Sequence, residues 1–182
     1  MIPDGATIMF GGFLGCGSAH KIIDALSKSG KSGFTIIGND CGMATGPDGD
    51  LYGMAKLVHN KQVKRVIATH VGMTPDVATQ NMVDKTLEVN LIPQGSLAEM
   101  IRAGGAGLGG VLTPVGIDTL VEESPFCLGR HTVDGKEDVY KRQVHDPAED
   151  RQDPGHPQGY RPRGHRRQCH PVRVRSVCQE AL

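Results

Sequence analysis

The sequence predicts an α/β fold with an open, mostly parallel sheet and helices on both of its faces. Over the first two thirds of the chain, short and almost wholly apolar segments alternate with segments whose apolar residues recur at helical spacing. Strands that are apolar on both faces are typical of a parallel sheet covered on both sides. In such sheets ligands bind at the carboxyl ends of the strands.

Four strands are predicted because each segment is short, apolar or β-branched, and bounded by turn residues. They are residues 6–10, 34–37, 65–69 and 87–92. Four helices alternate with them, the first with Gly30 as its C-cap and the third opening at Pro75. The apolar residues that mark their faces are Ala19, Ile22, Ile23 and Leu26; Leu51, Met54, Ala55 and Val58; Val77, Met82 and Val83; and Leu97, Met100 and Ile101.

The loops after these strands form the candidate site, because all four are rich in Gly or small polar residues. They are residues 11–17, 38–40, 69–72 and 93–95. The first loop stands between a strand and a helix, where glycine lets a ligand approach and free N–H groups attract an anion. Taken alone, this loop is equally well explained as a tight turn. It is neither a GxGxxG dinucleotide fingerprint nor a Walker phosphate loop.

Longer strings resemble the alpha (A) subunits of family I CoA-transferases, of the acetate, butyrate-acetoacetate and 3-oxoacid type. The N-terminal string runs from Asp4-Gly5 through Gly11-Gly12-Phe13 to Ser18, with Ala19 where the family usually has Pro. Further similar strings are residues 38–40, 62–68, 91–99, 101–110 and 113–123. The resemblance implies the architecture shared by CoA-transferases and phosphosugar isomerases, over an incomplete domain at residues 1–137.

The resemblance implies a subunit that moves coenzyme A between short-chain acids such as acetate, butyrate and acetoacetate. CoA and acyl-CoA would be substrates, with no bound cofactor and no metal. Gln94 and Asn39 would stabilise the oxyanion or position the substrate, because their amides lie near the reacting centre in the family. The alternative for Gln94 is a side chain that only ties down its own loop. Residues implied to bind CoA or substrate are Gly11, Gly12, Phe13, Gly15, Gly17, Gly95, Gly104, Gly105 and Gly107.

No catalytic nucleophile is predicted in this chain. In the family the glutamate that becomes glutamyl-CoA lies on the beta subunit, in a motif that this sequence lacks. Glu99, Glu122 and Glu123 are interpreted as surface charges, and His70 as a loop histidine. The predicted partners are therefore a beta subunit, an acyl-CoA and a short-chain carboxylate.

Composition favours a cytoplasmic protein without nucleic-acid or membrane partners. The 20 Lys and Arg balance the 20 Asp and Glu, and no apolar run is long enough to cross a bilayer. No secretory signal is recognised at the start of the chain. The 5 cysteines are odd in number and irregularly spaced, which favours free thiols over disulfides or a zinc site.

Residues 138–182 are predicted to be a disordered segment that arose from a sequencing adapter and a frameshift. Residues 138–143 read like a translated transposon-adapter end, and no Ile or Phe occurs after Arg142. Shifted by one base, residues 151–158 can encode an apolar segment similar to a family strand. The underlying DNA would refute this hypothesis if it lacked the adapter bases.

Another class of function on the same fold is a non-catalytic module that binds a sugar phosphate or a nucleotide. A Ser/Thr-rich phosphate loop would favour that class, and none is found here.

Overall fold

The computed structural model describes residues 2–142 and 172–173. The chain forms two compact units, Met1–Gln94 and Gly95–Leu182, and each has a sheet of its own. Among the described residues, no helix has both the length and the apolar character needed to span a bilayer.

The sheet of the first unit consists of four parallel strands, which confirms the predicted α/β class. They are β1 (Thr7–Met9), β2 (Phe34–Gly38), β3 (Val63–Ala68) and β4 (Glu88–Leu91). The strand order β1-β2-β3-β4 follows the chain. Neighbouring carboxyl ends therefore come from consecutive strands, and each strand-end loop lies beside the next one along the sequence.

The helices of the first unit are shorter than the sequence predicted. They are α1 (His20–Ser27), α2 (Ala55–His59) and α3 (Pro75–Ala78), and α3 continues into a π-helical turn, Thr79–Val83. The C-cap of α1 is Lys28 rather than the predicted Gly30, which lies two residues farther on with φ of 71°. The predicted second helix began at Leu51, but α2 begins at Ala55 because Met43 and Tyr52 form a β-bridge immediately before it.

The predicted apolar contacts of Met82 and Val83 are wrong. Their side chains are 69% and 75% exposed, whereas Gln80 is buried. The π-helical turn is wider than an α-helical one, so it changes the face that each residue presents. Gln80 Nε2 then donates to the carbonyl of Val58 at 2.7 Å, which satisfies this buried amide group.

The main hydrophobic cluster of the first unit packs on one face of the sheet, because it takes Phe34 and Ile36 from β2 but not Thr35 or Ile37. All five residues of β2 are buried, as a central parallel strand requires. The buried cluster joins this sheet to the helices and includes Phe10, Ile23, Leu26, Phe34, Ile36, Met54, Leu57, Val58, Val66 and Val77.

The second unit combines a helix with a mixed sheet. Helix α4 (Gln94–Gly105) begins on the last residue of the first unit, so Gln94 is helical rather than part of a loop. The strands are β5 (Gly110–Thr113), β6 (Cys127–Val133), β7 (Lys136–Arg142) and β8 (Val172–Arg173), with a 3₁₀ turn at Leu120–Glu123. Their order is β6-β7-β5-β8.

Strands β6 and β7 form a hairpin through Asp134 and Gly135. Both residues have positive φ, 51° and 74°, as the two-residue turn of a twisted hairpin requires. The domain boundary predicted after residue 137 falls inside β7. Apart from Val172–Arg173, residues 143–182 lie outside the described part of the chain, and the adapter hypothesis for residues 138–182 stays a prediction.

Candidate functional site

Hydrogen bonds join the loops at the carboxyl ends of the four parallel strands in sequence order. The loop after β1 is bonded to the loop after β2 through Leu14 and Asp40. The loop after β2 is bonded to the segment after β3, because the carbonyl of Asn39 accepts the N–H groups of Thr69 and His70 at 3.0 and 3.2 Å. Thr69 is in turn bonded to Gln94, which follows β4. The predicted gathering of these loops is therefore present within the first unit.

The carboxylate of Asp40 links the first two of these loops. It is 3% exposed and accepts the N–H groups of Leu14 at 2.7 Å and Gly42 at 2.6 Å. The side-chain amide of Asn39 also donates to it, at 3.2 Å. With both oxygens occupied by donors, the buried charge is compensated. This carboxylate holds loops in place and is poorly placed to act as a base.

The glycine-rich loop after β1 is a closed turn rather than an open cradle. Phe13 and Cys16 exchange backbone hydrogen bonds of 3.0 and 2.9 Å, so the N–H of Phe13 has an internal acceptor. The Phe13 side chain is 61% exposed. Gly11, Gly12 and Gly17 are exposed as well, which leaves the outer surface of this turn open to a ligand.

Gly12 and Gly15 are required by close packing. A Cβ on Gly12 would lie 2.6 Å from the carbonyl oxygen of Cys16, and one on Gly15 would lie 2.3 Å from the ring of Tyr52. Gly15 also has φ of 81°, which disfavours any other residue. The Tyr52 ring, which covers Gly15, contacts the imidazole of His20 with a centroid separation of 4.4 Å. The first turn of α1 is thereby fixed to the loop before α2.

Asn39 and Gln94 are both hydrogen-bonded to Thr69, Asn39 through its backbone carbonyl and Gln94 through its side chain. The Thr69 hydroxyl donates to Gln94 Oε1 at 2.6 Å. No described residue accepts a hydrogen bond from Gln94 Nε2, and Gln94 is exposed. Its two N–H groups therefore remain available for an acceptor on a ligand. Of the two amides, Asn39 is the less exposed and already donates to Asp40.

The remaining predicted glycines lie at the two ends of α4. Gly95 is in the first turn, where backbone N–H groups have no carbonyl of the helix to bind. Gly104 and Gly105 are in the last turn. Gly107, with φ of 69°, donates to Gly104, and Leu108 donates to Ala103. This pair of bonds is the Schellman helix end, and it occupies the N–H of Gly107.

Two of the three acidic residues that were interpreted as surface charges, Glu99 and Glu122, form ion pairs. Glu99 contacts Arg102 at 2.6 Å, and Glu122 contacts Arg130 at 2.7 Å. The hydrogen bond from Arg130 lowers the pKa of Glu122, so this carboxylate stays ionised. His70 is exposed in the segment after β3. The described residues contain no group of His, Cys, Asp and Glu that could hold a metal ion.

Cys41 is beside Asp40 but is not a reactive thiol. Its side chain is fully buried, and burial, helped by the charge of Asp40, raises its pKa to about 12. Since the thiolate is the nucleophilic form, Cys41 is inert at neutral pH. The Thr74 side-chain hydroxyl donates to the carbonyl of Gly42 at 3.1 Å. This bond joins the loop after β2 to the residue before α3.

Sequence reasoning placed Asp40 and Thr69 in the right loops but gave neither a role. Both are short polar residues within two positions of a strand end, and this is the signal that could have singled them out. The sequence contains no comparable signal for the contact between Tyr52 and Gly15, because that contact depends on how the loop before α2 folds back.

The family model for coenzyme A transferase matches residues 1–146 of this chain. Among curated proteins, the chain is 51% identical over 117 residues to a probable coenzyme A transferase subunit alpha of Bacillus subtilis. It is 44% identical over 133 residues to the acetate CoA-transferase subunit alpha of Escherichia coli. It is 49% identical over 121 residues to the acetoacetyl-CoA:acetate/butyrate CoA transferase alpha subunit of Clostridium acetobutylicum.

These alignments cover 64%, 73% and 66% of this chain, and 48%, 56% and 52% of the three relatives. The chain thus spans about half the length of the curated relatives it matches. Among solved structures, an acyl-CoA transferase from Escherichia coli O157:H7, in a thioester complex with CoA, matches with a TM-score of 0.63 and 22% identity. The match covers 79% of this chain and 30% of that one, and it supports the fold.

Proposed function

The chain belongs to the coenzyme A transferase family, and we propose that it is the alpha subunit of a short-chain acyl-CoA:carboxylate CoA-transferase. Such an enzyme moves coenzyme A between acids such as acetate, butyrate and acetoacetate. All three relatives named above are CoA-transferase alpha subunits. A sugar-phosphate- or nucleotide-binding module finds no support among them.

The observation that carries the proposal is the free amide of Gln94 at the carboxyl edge of the parallel sheet. Attack on a thioester moves negative charge onto its carbonyl oxygen, and prealigned donors stabilise that charge. Gln94 Nε2 has no acceptor among the described residues, while its Oε1 is held by Thr69. The backbone carbonyl of Asn39 accepts a hydrogen bond from the N–H of Thr69. These two amides are the oxyanion or positioning groups of the proposed half-site.

The covalent chemistry takes place on a second chain. By resemblance to the family, a glutamate of the beta subunit attacks the thioester and releases CoA as a thiolate, leaving an acyl anhydride. The thiolate then attacks the anhydride, releases the first acid and forms glutamyl-CoA. The alpha chain contributes binding and charge stabilisation through Gln94, Asn39 and the exposed surface of Gly11, Gly12, Phe13 and Gly17, with Gly95 at the start of α4. Gly15, which the Tyr52 ring covers, allows the tight turn that presents this surface.

The last glycine cluster has a narrower role in this proposal. The N–H of Gly107 already donates to a carbonyl of the chain. We therefore propose that Gly104, Gly105 and Gly107 let CoA approach closely because they have no side chains, and that their N–H groups do not bind it.

We further propose a cytoplasmic location and a beta subunit as the partner. The free thiols of Cys16, Cys41 and Cys127 are consistent with a reducing compartment.

Co-expression with a beta subunit tests the proposal. The alpha gene, with its reading frame restored as the adapter hypothesis requires, is expressed with and without the beta gene. Transfer of CoA from acetoacetyl-CoA to acetate is followed by the loss of thioester absorbance. We expect transfer only when both chains are present, and a loss of about 10²-fold or more in kcat for Gln94→Ala, as is typical of a lost oxyanion donor.

A matched control is Gln80→Ala, which removes an amide that serves only the core. Once folded, the Gln80→Ala complex should keep its kcat. A well-folded complex that transfers CoA to no short-chain acid would overturn the proposed function. Transfer with full activity in Gln94→Ala would leave the function standing and remove Gln94 from the half-site.

A further inference from the structure

Thr69 is bonded to two neighbouring loops at once. Its backbone N–H donates to the carbonyl of Asn39 at 3.0 Å, and its hydroxyl donates to Gln94 Oε1 at 2.6 Å. It is the first residue after β3, the strand between β2 and β4. Its position is therefore fixed by a buried strand rather than by a loose loop.

The side chain of Gln94, by contrast, has no hydrogen bond among the described residues other than the one from Thr69. It is exposed, and a glutamine side chain that is free in solvent samples many rotamers, so holding it in one rotamer costs conformational entropy. Its amide can also turn so that either Oε1 or Nε2 faces a ligand. The Thr69 hydroxyl bond removes both freedoms, because a donor that holds Oε1 directs Nε2 away from Thr69.

We propose that Thr69 is a positioning residue that orients the Gln94 amide for the proposed CoA transfer. This inference rests on the proposed function, and it adds a residue with no direct contact to the reacting atoms. Donors act on a developing oxyanion only when they are aligned before the reaction. Loss of the hydroxyl should therefore slow the chemical step more than it weakens substrate binding.

Thr69→Val tests this inference, because valine has the shape of threonine and keeps the backbone bond to Asn39. In the complex with the beta subunit, we expect kcat to fall about tenfold while KM changes less than about twofold. Thr69→Ser, which retains a hydroxyl, should recover kcat to within about twofold of the wild type. Thr69→Ala provides a second variant without the hydroxyl, and thermal unfolding verifies that each variant is folded.

Two controls separate positioning from a merely structural role. Thr79→Val removes a hydroxyl that donates to the carbonyl of Pro75 within its own helical segment, and it should leave kcat unchanged. In the Gln94→Ala background, Thr69→Val should cause no further loss, since the residue it orients is gone.

Full kcat in both folded Thr69→Val and Thr69→Ala would overturn the inference, and so would losses that add to those of Gln94→Ala. An active wild-type complex distinguishes these results from a failure of the proposed function. If the wild-type complex transfers CoA to no acid, the proposed function fails and this inference falls with it.

Discussion

Asp40 accepts the backbone N–H of Leu14 at 2.7 Å, across 26 positions of sequence. Leu14 has φ of 50°, a conformation that is strained for a leucine and persists only when its surroundings hold it. One buried carboxylate thus fixes the glycine-rich loop after β1 and, through Gly42 and Asn39, the loop after β2.

Asp40→Ala should therefore destabilise the protein. It leaves the N–H groups of the half-buried Leu14 and the buried Gly42 without an acceptor, and we expect a loss of about 2–4 kcal/mol in the free energy of unfolding. Urea denaturation followed by circular dichroism measures this loss. The control is Asp50→Ala, an exposed residue of a nearby loop, which should change stability by less than about 0.5 kcal/mol. Equal stability of the two variants would show that Asp40 is not an anchor.

Gly15→Ala should destabilise the fold more than Gly5→Ala. Both glycines have positive φ, 81° and 73°, so both substitutions carry the same backbone strain. Only at Gly15 would the new methyl group overlap the Tyr52 ring, and we expect at least about 1 kcal/mol of additional loss from that overlap. The difference between the two urea midpoints measures it. Identical midpoints would mean that Tyr52 moves aside without cost.

Cys16 should react with iodoacetamide at pH 8 much faster than Cys41. Cys16 is exposed, whereas Cys41 is buried and has its pKa raised to about 12. Only about one in 10⁴ Cys41 thiols is ionised at that pH. Peptide mass mapping after short labelling, with and without urea, follows each site separately. Rapid modification of Cys41 in the folded protein, at the rate of Cys16, would contradict its placement in the core.

Lys141 should make stability depend on pH in the alkaline range. Its side chain is 2% exposed and donates to Ser96 Oγ at 3.2 Å and to the carbonyl of Val115 at 3.0 Å. Burial lowers the pKa of Lys141 below its ordinary value of 10.5. Between the lowered folded value and the unfolded value, the unfolded chain binds more protons, so stability rises with pH in that window.

The test compares how the stability of two proteins changes with pH, because other groups also titrate at these pH values. Urea midpoints from pH 7 to pH 10 are compared for the wild type and Lys141→Met. The wild type should gain stability relative to the variant as pH rises toward 10.5. Lys136→Met, an exposed position of the same strand, should show no such change. Parallel curves for the wild type and Lys141→Met would exclude a buried ammonium group.

The sequence predicted the strands of the first unit well, and its errors have local causes. Residues 34–37 are short, rich in β-branched residues and bounded by glycines, which indicates a buried strand. The face presented by Met82 and Val83, in contrast, depends on a π-helical turn that periodicity does not reveal. The loops of the candidate site were predictable from the carboxyl-end rule. The bonds of Asp40 and Thr69 were not, because they depend on strand order, and single-sequence patterns do not determine that order.

The second unit was harder to predict from the sequence. The Asp134-Gly135 turn signal was present, but the charged residues around it do not alternate with apolar ones in the way that a half-buried hairpin does. The burial of Lys141 is a tertiary effect, since its aliphatic stem and amine are accommodated by residues distant in sequence.

The consecutive strand order also bears on how the site is assembled during synthesis. The bonds from Leu14 to Asp40 and from Thr69 to Gln94 span 26 and 25 positions, about one strand-helix-strand repeat each. A ribosome adds about 5–20 residues per second, so each link can close within seconds of the one before it. The hydrogen bonds between these loops can therefore form in order from the N-terminus as the nascent chain emerges, before more distant segments are synthesised.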